Sequence, residues 1–117
     1  MMAIVVIGDK LSREDIKHAK EEYPEYIKIT ADIEQEIVAI GGEYHADAEQ
    51  ILAEKYGSLN ANVWGGGYTI TQDRFEVNAL LNIKPGKNES ADILDPQVRN
   101  WFLETVRAKL GEIKSLI

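Results

Sequence analysis

The chain opens on an apolar run, Ala3-Ile4-Val5-Val6-Ile7, cut short by Gly8-Asp9, which is the pattern of a buried first strand. An amphipathic segment follows. Ser12 stands as a helix N-cap with Asp15 in the place of the capping-box acid, and Leu11 and Ile16 form the flanking staple. Ile16, Ala19 and Tyr23 give this helix one apolar stripe, and Pro24 stops it. From Tyr26 to Ile33 β-branched residues take over, followed by the nearly all-apolar Ile37–Ile40, and the short Glu34-Gln35 link predicts a hairpin. A second helix is expected to begin with Asp47 as its cap and Gln50 at the box position. It buries Ile51, Leu52 and Tyr56 and ends at Gly57.

Two further strands are predicted at about Asn62–Thr71 and Phe75–Lys84, turned by Gln72-Asp73-Arg74. In the second, Val77, Ala79, Leu81 and Ile83 share one face while Asn78, Leu80, Asn82 and Lys84 share the other, a mostly polar face that is either solvated or lines a site. After a loop at 85–94, Asp95-Pro96 reads as a cap followed by proline at the first helical position. Val98, Phe102, Val106, Lys109, Leu110 and Ile113 then recur at helical spacing, predicting one long helix to about Lys114. The order β-α-β-β-α-β-β-α, with strands joined mostly by hairpins, predicts a single α+β domain over residues 1–117. Its sheet of about five strands is antiparallel or mixed, with helices packed on it.

Composition narrows the chemistry. The 117 residues suit one domain. Without cysteine there are no disulfides, cysteine–zinc sites, iron–sulfur clusters or thiol catalysis, so any metal falls to carboxylates and to His18 and His45. The apolar start is short and lacks a basic leader, so neither a signal peptide nor a membrane span is expected, and a cytoplasmic location is. The net charge is −7, and residues 1–60 hold 13 acids against 6 bases while residues 61–117 hold 7 of each. An acidic field of that kind disfavours nucleic acid as a partner and favours cations or a basic protein surface.

The densest candidate chemistry is Gly41-Gly42-Glu43-Tyr44-His45-Ala46-Asp47, inside a tract from Lys28 to Lys55 that has seven carboxylates and no Lys or Arg between its ends. If the chain is extended there, Glu43, His45 and Asp47 share a face and form a candidate site for a divalent metal ion. A histidine between carboxylates also suits a general base. Against this stands the capping role of Asp47, which would occupy its side chain. His18, beside Lys17, is expected at the surface. Gly65-Gly66-Gly67 lacks the lysine and the following helix of a phosphate loop, so it predicts a bulge or the close approach of another backbone. Lys84-Pro85-Gly86-Lys87-Asn88 forms a small basic turn able to hold an anion. No Gly-x-Ser-x-Gly supports a serine nucleophile.

Asp32-Ile33-Glu34, Ile40-Gly41-Gly42-Glu43-x-His45-Ala46-Asp47, Asn62-Val63-Trp64-Gly65, Asn82-Ile83-Lys84-Pro85 and Asp95-Pro96 together resemble a family of small prokaryotic proteins grouped as a domain of unknown function. The resemblance implies no activity, and it suggests that Glu43, His45, Asp47, Asn82 and Lys84 belong to one site. The leading expectation is a binding protein whose acidic surface or Glu43/His45/Asp47 site engages a cation or a partner protein. One alternative is a metal-dependent hydrolase in which those three residues hold the ion and Lys84 stabilises developing negative charge. Another is a structural or regulatory homodimer without a small-molecule site. A homodimer is expected in any case, because one helix face does not readily cover both Trp101 and Phe102.

Overall fold

In the computed structural model, which describes residues 4–117, the chain follows the expected element order. β1 (Ile4–Val6), β2 (Tyr26–Asp32), β3 (Ile37–Gly41), β4 (Val63–Thr69) and β5 (Arg74–Glu76) form one sheet in the order β1-β3-β2-β4-β5. All its pairings are antiparallel. Ala3, expected at the start of the first strand, lies outside the described residues.

The alternation along β2 sorts the sheet into two faces, since residues paired across antiparallel strands share a face. Ile27, Ile29 and Ala31 pair with Tyr68, Gly66 and Trp64, while Tyr26, Lys28, Thr30 and Asp32 pair with Thr69, Gly67, Gly65 and Val63. The first face carries the larger core, covered by α1 (Arg13–Ala19) and α3 (Pro96–Leu110). The second carries a smaller core of Ala39, Ala48, Leu52 and Val63 under α2 (His45–Tyr56). Each buried aliphatic side chain in these layers contributes roughly 1.5–3 kcal/mol.

Local signals set several boundaries as expected. Ser12 and Asp15 form a reciprocal capping box on α1, and Leu11 and Ile16 are both buried in the larger core. The Asp95 carboxylate accepts the Gln97 N–H at 2.8 Å, with Pro96 as the first helical residue. Other boundaries differ. α1 ends at Ala19, because Lys20-Glu21-Glu22 offers nothing apolar to bury, and Tyr23 is left exposed. The long C-terminal helix is two helices: Gly111-Glu112 breaks it, and α4 (Ile113–Leu116) turns Ile113 back into the core. Phe102 is buried while Trp101 remains 40% exposed.

The largest difference concerns the fifth strand. β5 stops at Glu76, and the alternating stretch beyond it leaves the sheet, forming a 3-10 turn at Leu80–Asn82 and an isolated bridge between Lys84 and Asn88. The polar face predicted for Asn78, Leu80, Asn82 and Lys84 therefore does not exist as a strand face. Asn82 and Lys84 are instead buried, while Asn78 and Leu80 are exposed.

Candidate functional site

Two consecutive glycines with positive φ, Gly41 at 90° and Gly42 at 91°, turn the chain sharply out of β3. Gly42 also lies where a Cβ would press within 2.7 Å of Ile4 Cγ1. The turn brings Tyr44 to an extended conformation and lets α2 start at His45, two residues before the expected Asp47. Tyr44 is the N-cap and gives no side-chain capping bond. Asp47 is thus the third helical residue rather than the cap, placed where a carboxylate complements the helix dipole. With the helix already under way at His45, residues 43, 45 and 47 do not share one extended face. Among the described residues no group of three or more His, Asp or Glu side chains stands where it could hold a metal ion.

His45 is held from below. Its Nε2 donates to the Gly66 carbonyl at 2.8 Å, since a carbonyl only accepts, and this leaves Nδ1 as the ring's lone-pair nitrogen. The ring rests over Gly65, where a Cβ would stand 2.9 Å from His45 Cδ2. Burial holds the His45 pKa below 6.5; the Gly66 hydrogen bond opposes that shift and the nearby Lys28 charge adds to it, so the imidazole is neutral at pH 7.

α2 covers only part of its sheet face, and the remainder is a groove of about 690 Å³. Within it lie His45, Glu43 and Tyr44 from the start of α2, Tyr26 and Lys28 from β2, and Leu80, Leu81 and Ile83 from the turn after β5. The volume falls within the range of ligand clefts. The glycines of β4 make room for the groove's occupants: a Cβ on Gly67 would run into the Tyr26 hydroxyl and ring. On the opposite face of the sheet, a Cβ on Gly66 would meet Phe102 at 3.1 Å, and it would also strike the Glu76 carbonyl of the neighbouring strand. The triple glycine is therefore a strand of close approaches, as its context predicts. Lys28 Nζ lies 4.9 Å from the Tyr23 ring centroid and 5.6 Å from that of Tyr26. Burial, followed by the Glu76 charge, raises the Tyr26 phenol above its usual range.

Of the five candidate residues, Glu43 and His45 line this groove, and Asp47 is not among its lining residues. Asn82 and Lys84 lie behind its wall. Asn82 accepts from the Gly65 N–H at 2.8 Å and donates to the Gly65 and Ala91 carbonyls at 2.9 and 2.8 Å. It thereby takes the place of a strand backbone along the stretch of β4 that β5 does not reach. Lys84 donates to the Asn60 carbonyl at 2.6 Å and stands 4.8 Å from the Trp64 ring centroid. Burial lowers its pKa, partly offset by Glu49, with Lys87 adding to the lowering. His18 sits between Glu14 and Glu21 on the surface of α1.

Two residues outside the candidate set organise the surroundings of the groove. Asp32 is buried, and its carboxylate accepts from the backbone N–H groups of Glu34 and Gln35, from the Gln35 amide and, at 2.6 Å, from Ser58. Asn88 is buried in the basic turn, donating to the Asn82, Ser90 and Asp92 carbonyls and accepting from the Leu94 N–H. Tyr26 and Lys28, on the groove floor, belong to the alternation Tyr26, Lys28, Thr30, Asp32, a polar face on a central strand.

The chain belongs to the family described as a protein of unknown function (DUF5674), which matches residues 5–109. No curated protein and no solved structure matches it. Among the described residues no helix is long and apolar enough to cross a membrane.

Proposed function

We propose that this member of the family is a binding protein whose groove beside the start of α2 receives a segment of a partner protein. The observation that carries this reading is the groove's apolar rim. Leu80 is 81% exposed, Tyr44 61% and Ile83 46%, grouped around one concavity rather than scattered. Glu43 and His45 supply polar contacts within it, while Asn82 and Lys84 brace the wall. A hydrolase reading is less well supported, because it needs carboxylates and imidazole converging on an ion.

Placing a photo-crosslinking residue at position 80 tests the proposal in the native cells. A discrete protein adduct from position 80, absent from position 104 on the outer face of α3 and lost with Tyr44→Asp, is the expected result. Equal labelling from both positions, or none from the groove, rejects the reading. The exposed Trp101 favours a separate contact with a second copy of the chain. Sedimentation velocity should then show a dimer that Trp101→Glu converts to monomer.

A further inference from the structure

Among the described residues, the only Lys or Arg side chain lining the groove is Lys28. It is half-buried on β2, opposite Gly67, and lies against the rings of Tyr23 and Tyr26. The ion pairs among the described residues engage His18, Arg74, Arg99 and Lys114, so Lys28 has no carboxylate partner. The groove's own acids are placed otherwise: Glu43 is exposed at its mouth, and Glu49 is held by the Asn60 amide at 2.7 Å. Tyrosine faces attract the ammonium group but accept none of its N–H bonds in the way an oxygen does, so its donors remain available to a ligand. Beside it, His45 Nδ1 offers a lone pair, because Nε2 is committed to Gly66.

We infer that the Lys28 end of the groove recognises the carboxylate of an Asp or Glu side chain within the partner's segment, with His45 Nδ1 accepting an N–H from that segment and the apolar rim holding its neighbours. This rests on the groove being a segment-binding site. It reverses what net charge alone suggests: long-range repulsion from an acidic chain is screened over about 8 Å at physiological salt, whereas a desolvated contact pair is not.

Panning short random segments, displayed between fixed flanks, on the intact protein tests both claims. Selected segments should be enriched in Asp or Glu beside apolar residues. For a selected sequence made as a peptide with both ends capped, changing the acid to its amide should weaken binding by about tenfold or more. That preference should vanish on Lys28→Met and persist on Lys28→Arg. Because the readout is the ratio between two peptides, a general loosening of the tyrosines in the Met variant does not imitate the effect. Selected segments without an acidic preference, or with a basic one, overturn the carboxylate assignment and leave the groove reading standing. A library from which nothing is selected overturns both.

Discussion

Asp32 shows how a carboxylate in an acidic tract can be structural. Burial by itself would raise its pKa, but hydrogen bonds from Ser58, Gln35 and Glu34 outweigh it and hold the carboxyl below its ordinary 3.8. A lowered folded pKa means that its stabilisation is complete above that ordinary value and is lost as pH falls through the folded one. Urea titrations should therefore show wild-type stability falling below about pH 4 by an amount that Asp32→Asn does not show, with the variant weaker at pH 7 by roughly 2–3 kcal/mol. Tyr68 has the opposite sign. Burial, then its hydrogen bond and proximity to Asp73, push its phenol up to about 12, so its contribution is whole below the ordinary 10.0 and disappears as pH rises through that raised value. Alkaline unfolding of the wild type should contain this loss, and Tyr68→Phe should lack it. At this scale the sequence was only partly legible. Asp32 stands in one of the stretches that carry the family resemblance, but its partner Ser58 is 26 residues away and only the fold brings the two together.

Elements defined by their own residues could be read directly, whereas those defined by distant contacts could not. The Ser12 box and the Asp95-Pro96 start are local, and both fall where the sequence puts them. The start of α2 does not, because the imidazole of His45 is drawn onto the β4 carbonyl of Gly66, and Asp47 cannot announce that. Residues 75–84 alternate like a strand, yet Asn82 draws them out of the sheet through Gly65, a pairing invisible to periodicity. β4 offers a test that separates structure from groove. Gly66→Ala sets a methyl against the Glu76 backbone, which has little freedom to move, and should destabilise by roughly 1–3 kcal/mol in denaturant unfolding. Gly67→Ala meets a side chain instead, so Tyr26 can swing aside. It should keep more of the stability while changing the groove, seen as altered Tyr26 and Lys28 resonances by NMR.

On the scale of the whole molecule, helices bury the larger core on one face of the sheet and cover the other face only in part, and the uncovered part of that second face is the groove. The closed side depends on the chain returning after Gly111, since Ile113 is only 2% exposed within the core. Ile113→Ala should remove roughly 2–4 kcal/mol, measured by thermal or urea unfolding, without altering peptide recognition at the far face. The fold class and the single-domain organisation followed from the order of elements. The groove did not, because it is defined by where α2 stops covering β2 and β4. The same incomplete coverage bears on a hazard common to sheet proteins. Beyond the end of β5, the Gly65 peptide groups would be an unpaired strand edge, a template on which another chain could grow, and the Asn82 amide already occupies them. Replacing that amide is expected to strip the Gly65 N–H and carbonyl of their partners and to favour strand-by-strand self-association, a role for Asn82 unlike the ligand contact its sequence context suggests.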